Sequence, residues 1–127
     1  MATDPAYAPI DPEAVAEARL GIPEQQILRF VVEAFGALSD PTRAKILYAL
    51  VRRPLCVRDL ALAVDASESA VSHQLRLLRD RRLVKAVRRG GNQIEYHLDD
   101  HHVAALFKEA EYHADHVRSG LPDHPYS

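Results

Sequence analysis

Histidine is concentrated near the end of this chain, in a spacing that suits metal binding. Six of the seven histidines lie between residues 97 and 124, and His73 is the exception. Successive residues of an α-helix turn by about 100°, so His113 and His116 would lie about 60° apart and one turn from each other. Two imidazoles so placed can bind one ion. The pair therefore predicts half of a metal site.

Asp100 and His102 precede this pair on the same predicted helix. His102 faces nearly the same way as His113, but the eleven intervening steps of about 1.5 Å separate them by about 16 Å along the axis. Because zinc–nitrogen bonds are only about 2 Å long, one straight helix cannot bring both imidazoles to one ion. An antiparallel second copy would place Asp100 and His102 of one chain beside His113 and His116 of the other, and symmetry would create two equal sites.

The donor set favours zinc. One carboxylate oxygen and three imidazole nitrogens make a suitable tetrahedral set for Zn²⁺, which we predict as the bound metal ion. Co²⁺ or Ni²⁺ is the alternative, with His124 or Asp115 as extra ligands if six are needed. His97 and His101 do not fit the site and are predicted to be structural or solvated.

The ligand-bearing helix is the last of six predicted helices. Apolar residues at helical spacing predict helices over residues 12–20, 24–37, 41–52, 56–64, 68–81 and about 100–118. Asp11, Asp40 and Ser67 are predicted N-caps. In the third helix the expected inward side chains are Ile46, Leu47, Leu50 and Val51. In the last helix an apolar stripe is expected to face a partner chain: Val103, Leu106, Phe107, Ala110, Ala114 and Val117.

The elements between these helices indicate the fold class. A short turn over residues 65–67 joins the fourth and fifth helices, as in a helix-turn-helix. Alternating runs over 83–88 and 93–98 flank a Gly-Gly turn and predict a hairpin. We therefore predict a mostly α winged helix-turn-helix with a two-stranded β-wing. Residues 1–23 would be an arm with a short helix, 24–118 the DNA-binding and dimerisation domain, and 119–127 a flexible tail.

Charge is distributed unevenly along the 127 residues. The net charge is −2, yet between residues 75 and 90 seven arginines and lysines accompany a single acidic residue, Asp80. A basic segment of this kind suits phosphate binding. No run of 18 apolar residues is present, the first residues show no basic region followed by an apolar core, and the single cysteine cannot form an internal disulfide. These features predict a cytoplasmic protein without a membrane span.

The fifth helix and the hairpin carry the predicted DNA contacts. Polar side chains on the outer face of the helix can donate to or accept from base edges in the major groove, whereas the basic residues beyond it suit phosphates or the minor groove. The predicted contacts to double-stranded operator DNA are Ser67, Ser69, Ser72, His73, Gln74, Arg76, Arg79, Lys85, Arg88, Arg89, Asn92 and Gln93. One such helix reads few base pairs, which predicts a homodimer on a palindrome.

Several segments resemble the ArsR/SmtB family of bacterial metal-responsive repressors. The resemblance rests on ESAVSHQLRLLRDRRLV at 68–84, together with ALSDPTRAKILYAL at 37–50, LCVRDLA at 55–61 and LDDHHVAAL at 98–106, in the same order. It covers about residues 27–118 and implies a homodimeric repressor that leaves its operator when an inducer, usually a metal ion, binds.

The same resemblance carries implications for individual residues. It implies that Asp100-X-His102 and His113-X-X-His116 form an intersubunit site, and that His113 bonds the backbone near Arg82. In some relatives a second site uses the equivalents of Cys56 and Asp59 with Cys or His from the N-terminal arm. The arm here has neither, so only two ligands of that second site are present.

Two other classes of protein are alternatives to this one. A winged-helix regulator without a metal could be switched by a partner or by oxidation of Cys56. A zinc hydrolase would keep an open coordination position beside a general base, whereas four ligands would close this site. No Ser-His-Asp set or phosphate-binding loop is visible, so we predict that the protein is not an enzyme.

Overall fold

The computed structural model describes residues 7–120 and contains the predicted elements in the predicted order. The helices are α1 (Pro12–Leu20), α2 (Gln25–Leu38), α3 (Pro41–Arg52), α4 (Val57–Val64), α5 (Glu68–Asp80) and α6 (His101–Ser119), and the strands are β1 (Val84–Arg89) and β2 (Gln93–Leu98). The strands form one antiparallel pair. The predicted fold class, a winged helix-turn-helix with a β-wing, is confirmed.

All three predicted N-caps are confirmed. The backbone N–H of Ala14 donates to Asp11 at 3.1 Å, that of Arg43 to Asp40 at 2.9 Å, and that of Ala70 to Ser67 Oγ at 3.0 Å. Each bond satisfies one of the N–H groups that the first helical turn leaves unpaired, which fixes where the helix begins.

The chain divides into two compact units. One extends to Glu33 and the other begins at Ala34. The first contains α1 and most of α2, and none of the described side chains of residues 7–33 is buried. The predicted functional division at residues 23 and 118 stays a prediction. Of the predicted tail, residues 119–127, only Ser119 and Gly120 are described, as the last residue and the C-cap of α6; the rest lies outside the described residues.

The hydrophobic core lies in the second unit, between α3, α4, α5, the first strand and α6. Its fully buried side chains are Ile46, Leu47, Leu60, Leu75, Leu78, Val71 and Val84. Val51, expected to face inward, is instead 41% exposed, because at about 100° per residue it lies at the edge of the face that Ile46, Leu47 and Leu50 form. The prediction that Val103 and Phe107 face a partner chain is also wrong, because both pack into this chain's own core.

The wing is anchored to the helices at its base. Strand register pairs Val84 with Leu98 at the base and Arg89 with Gln93 at the tip, where Gly91 adopts a φ of +67° that favours glycine. Leu55, between α3 and α4, exchanges two backbone hydrogen bonds with Tyr96 of β2, at 3.2 and 2.8 Å. The wing is therefore tied to the helix-turn-helix by backbone bonds as well as by packing.

No helix within residues 7–120 combines the length and the apolar character needed to cross a bilayer.

Two leucines of α4 provide a matched test of the core. Leu60 is fully buried, whereas Leu62 is 73% exposed. We expect Leu60→Ala to lower the free energy of unfolding by about 2–5 kcal/mol, because it removes apolar contacts and leaves a cavity. Leu62→Ala is expected to change it by no more than about 0.5 kcal/mol. Chemical denaturation at one fixed protein concentration measures both. Equal effects of the two substitutions would contradict this core.

Candidate DNA-binding surface and metal ligands

The outer face of α5 presents most of the predicted base-reading side chains to solvent. Ser69, Ser72, His73 and Arg76 are all exposed. Ser67 is also exposed, but its hydroxyl accepts the capping bond at the start of α5. Because these groups project from one side of a rigid helix, they can enter a major groove together. Their contacts with DNA stay a prediction.

Gln74 is placed differently from its neighbours. It is half-buried, and its Oε1 accepts a hydrogen bond from Nη1 of Arg43 at 3.2 Å. Arg43 lies in the first turn of α3, and its Nε donates to the carbonyl oxygen of Ala37 at 2.7 Å. The predicted DNA-contacting glutamine thus already has a partner inside the protein.

The wing and the end of α5 supply the basic part of the surface. The predicted contacts Arg79, Lys85, Arg88, Arg89, Asn92 and Gln93 are all exposed. A surface with this many cations suits a phosphate backbone.

Arg89 differs from the other wing cations because it is paired with Glu95 on the facing strand. Its Nε donates to Glu95 Oε1 at 2.8 Å, and His97 Nε2 lies 3.2 Å from the same oxygen. The hydrogen bond from Arg89 lowers the pKa of Glu95, with smaller contributions from His97, although partial desolvation acts in the opposite direction. Glu95 therefore neutralises part of the charge at the wing tip and orients Arg89.

The two ligands of the predicted second site line a cavity of about 270 Å³ between the start of α4 and the wing. Cys56 is half-buried and Asp59 lies one turn further along α4. The cavity is completed by Arg53, Pro54, Leu55, Arg89, Gln93 and Glu95. Among these described lining residues no histidine or further cysteine joins the pair, so the second metal site stays a prediction.

At the start of α6, Asp100 and His102 lie side by side. Asp100 is the N-cap, with extended backbone, and its Oδ1 accepts from the backbone N–H of His102 at 2.9 Å. His102 Nδ1 is 3.4 Å from the same oxygen. Partial desolvation acts to raise the pKa of Asp100, but the bonds from His102 and the charge of His102 lower it overall. The carboxylate is therefore ionised at neutral pH, as a metal ligand must be.

At the other end of α6, His113 is exposed and His116 is half-buried. The Nδ1 atom of His116 is shielded from solvent and has no hydrogen-bond partner among the described residues. An imidazole nitrogen without a partner is suited to be a metal ligand. Asp115, considered as an extra ligand, is already ion-paired with Arg118. His124, the other candidate, lies outside the described residues.

The two ligand pairs lie near opposite ends of one continuous helix. Within residues 7–120 of a single chain, no three side chains of the metal-binding types gather around one point. At about 1.5 Å per residue, α6 holds His102 and His113 about 16 Å apart. The donor types and the unpartnered Nδ1 fit a zinc ion, and the helix carries two of the four predicted ligands near each end.

A short backbone connection joins the end of α5 to the start of α6. Arg82 adopts a left-handed φ of 57°, which turns the chain out of α5. The carbonyl oxygen of the next residue, Leu83, then accepts a hydrogen bond from the N–H of Asp99 at 3.0 Å. Asp99 directly precedes Asp100, and the N–H of Leu83 in turn donates to the carbonyl oxygen of Leu78 in α5 at 2.9 Å, so two backbone bonds lead from the predicted ligand to α5. The implied bond from His113 to the backbone near Arg82 stays a prediction.

Sequence reasoning missed Arg43 and Glu95. Arg43 had a detectable signal, since an arginine three residues after the N-cap Asp40 can reach back to the carbonyls that end the preceding helix. For Glu95 the sequence offers no signal until the strand register is known, because the register decides which residue lies opposite Val87 and beside Arg89.

Comparison with known proteins agrees with this architecture. Residues 40–86 match the family model described as "Bacterial regulatory protein, arsR family". The chain is 52% identical over 88 residues to a transcriptional repressor SmtB homolog of Synechocystis sp., covering 69% of this chain and 64% of that protein. It is 44% identical over 119 residues to the regulator NmtR of Mycobacterium tuberculosis, covering 93% of this chain and 88% of that protein. A cadmium resistance regulatory protein CadC homolog of Staphylococcus aureus is 42% identical over 90 residues, covering 70% and 74%.

Solved structures show the same fold. The solution structure of apo-NmtR is similar at a TM-score of 0.61 with 40% identity, covering 100% of this chain and 95% of that chain. The homodimeric winged helix-turn-helix DNA-binding domain of Mb0332 from Mycobacterium bovis is similar at a TM-score of 0.71 with 26% identity, covering 83% and 98%.

The α4–turn–α5 unit followed by the β1–β2 wing makes this a protein of the winged helix-turn-helix class. Within that class, the chain belongs to the ArsR family of bacterial regulatory proteins.

The ion pair at the wing tip can be tested by titration. We expect the Glu95 carboxyl to titrate below its ordinary pKa, because Arg89 and His97 stabilise its charged form. In Arg89→Met the pKa of Glu95 should rise, because the hydrogen bond that contributes most to stabilising the charged carboxylate is lost. Carbon-13 NMR of the labelled carboxyl measures both, with Arg88→Met as the control that removes a neighbouring cation. A Glu95 pKa that is unchanged in Arg89→Met would contradict the pairing.

Proposed function

We propose that this protein is a cytoplasmic metal-responsive repressor that binds operator DNA as a homodimer and releases it when zinc binds. The observation that carries the proposal is the direct succession of a DNA-reading unit and a helix with metal ligands at both ends. The two are joined by the Asp99–Leu83 hydrogen bond. The relative named for cadmium resistance supports a metal as the effector.

Exposed apolar side chains support a second copy as the partner. On α6, Leu106 and Val117 remain 39% and 66% exposed, and Ala110 and Ala114 lie between them on the exposed surface. On α2, Ile27, Phe30 and Phe35 are about half exposed. Along each helix these apolar side chains recur at helical spacing, which suits packing against a partner. The Mb0332 domain, which has the same fold, is homodimeric.

The ligands would be shared between the two chains. Asp100 and His102 of one chain and His113 and His116 of the other would hold each ion, since the length of α6 separates the two pairs within one chain. Zinc, when bound, supplies a cross-link between the paired helices. Asp99 would carry a displacement of the start of α6 to Leu83 and so to the end of α5. The expected coupling free energy between metal binding and operator binding is about 1–3 kcal/mol, which changes operator affinity by about 5–150-fold.

Substitutions at the start of α6 test this proposal. His102→Ala is expected to bind the operator like the native protein without metal and to keep that affinity when zinc is added, because one ligand of each site is gone. Asp100→Asn should behave in the same way, since asparagine caps a helix as well as aspartate does but is a poorer zinc ligand. Fluorescence anisotropy with a labelled duplex, selected by the metal-free protein from a random-sequence library, measures the affinity across Zn²⁺, Co²⁺ and Ni²⁺.

The neighbouring His101 is the matched control. It lies on the same helical turn, with its ring 4.0 Å from that of His102, but is not a predicted ligand. His101→Ala should therefore still release the operator with zinc. A native protein whose operator affinity is unaffected by all three metals would overturn the proposal. So would a His102→Ala variant that responds to zinc as the native protein does.

A further inference from the structure

The side chain of Arg43 joins three helices. From α3, its Nε donates to the carbonyl oxygen of Ala37 at 2.7 Å, and its Nη2 lies 3.5 Å from that of Gly36. Both carbonyls belong to the last turn of α2. Its Nη1 donates to Gln74 Oε1 in the middle of α5 at 3.2 Å. One planar guanidinium therefore contacts the end of α2 and the reading helix from the start of α3.

The surroundings hold this guanidinium in place. The backbone N–H of Arg43 donates to Oδ2 of Asp40, so the residue is part of the α3 cap. Ser39 Oγ donates to the carbonyl oxygen of Gly36 at 2.6 Å and closes the same turn of α2. Arg43 is half-buried, and the fork of an arginine loses little further freedom once two of its edges are bonded.

The contact uses the atom that base reading would need. A glutamine that recognises adenine does so with both its amide oxygen and its amide nitrogen. In Gln74 the oxygen accepts from Arg43. Two-point contact with a base would therefore require this bond to break, while Ser72, His73 and Arg76 need no such change because they are exposed.

We propose that Arg43 and Gln74 are a positioning pair that sets the orientation of α5 against the end of α2, and that Gln74 does not read a base. The inference rests on the proposed DNA-reading role of α5. A dimer that reads two half-sites must hold its recognition helices at a fixed spacing and angle. The pair ties the middle of α5 to the end of α2, while Leu83, just beyond α5, bonds both Leu78 in α5 and Asp99 just before α6.

Replacement of Gln74 by glutamate separates positioning from base reading. Gln74→Glu keeps an acceptor for Arg43 and makes the bond charge-assisted, so operator affinity should stay within about threefold of native. Gln74→Ala removes the acceptor and should weaken binding about tenfold, because α5 is no longer held in the orientation that fits the groove; this lies within the range of about 5–150-fold that is usual for coupling between sites. If Gln74 read a base, the glutamate would place a negative charge in the groove and would bind more weakly than the alanine.

A double substitution and a base scan complete the test. Arg43→Met should weaken binding at least as much as Gln74→Ala does, because it also loses the bonds to α2. The double variant should be no weaker than Arg43→Met alone, because residues of one contact act together. Lys45→Met removes a cation from the same helix without touching the pair and serves as the control. Across all single base-pair changes in the operator, Gln74→Ala should keep the native pattern of discrimination, whereas a lost base contact relaxes it at one position.

The duplex is one selected by the native protein from a random-sequence library, and circular dichroism checks that each variant is folded. Should Arg43→Met fail to fold, the comparison of Gln74→Glu with Gln74→Ala still decides the question. Loss of binding in Gln74→Glu, or relaxed discrimination at one base pair in Gln74→Ala, would overturn the positioning role alone. A native protein that enriches no duplex would overturn the DNA-reading function and, with it, this inference.

Discussion

The length of a single α-helix governs the proposed mechanism. Helix α6 runs without interruption from His101 to Ser119, and each residue advances it by about 1.5 Å. Its two ligand pairs are therefore held too far apart to share an ion, and each pair needs ligands from elsewhere. An antiparallel partner supplies them by symmetry. The dimer is then a condition for binding the metal as well as for reading a palindrome.

Helix α5, the proposed DNA-reading helix, is held by contacts at two points, one toward α2 and one toward α6. The Arg43–Gln74 contact connects its middle to the end of α2, and Leu83 bonds both Leu78 near its end and Asp99 just before α6. Both α2 and α6 expose apolar side chains. In the proposed dimer, changes in the packing of either helix would therefore reach α5 through a defined contact.

Most of the fold could be predicted from local signals, whereas side-chain partners could not. The caps Asp40 and Ser67 and the apolar periodicity determine where helices begin and which face is buried. Periodicity alone could not tell that Phe107 packs into its own core, because an apolar stripe suits either a core or a partner. It also gave no sign that Gln74 turns toward Arg43, since that contact spans 31 residues of sequence. The ligand spacing of α6 was visible because it lies within one helix.

A mixed dimer tests the shared metal site most directly. One chain carries His102→Ala and the other His113→Ala, with two different affinity tags so that the mixed dimer can be purified. In each homodimer both sites lack a ligand, but in the mixed dimer one site regains all four ligands while the other loses two. Calorimetric titration with Zn²⁺ should find no tight site in either homodimer and one in the mixed dimer. A mixed dimer that binds no more tightly than its parents would contradict a site shared between two copies of α6.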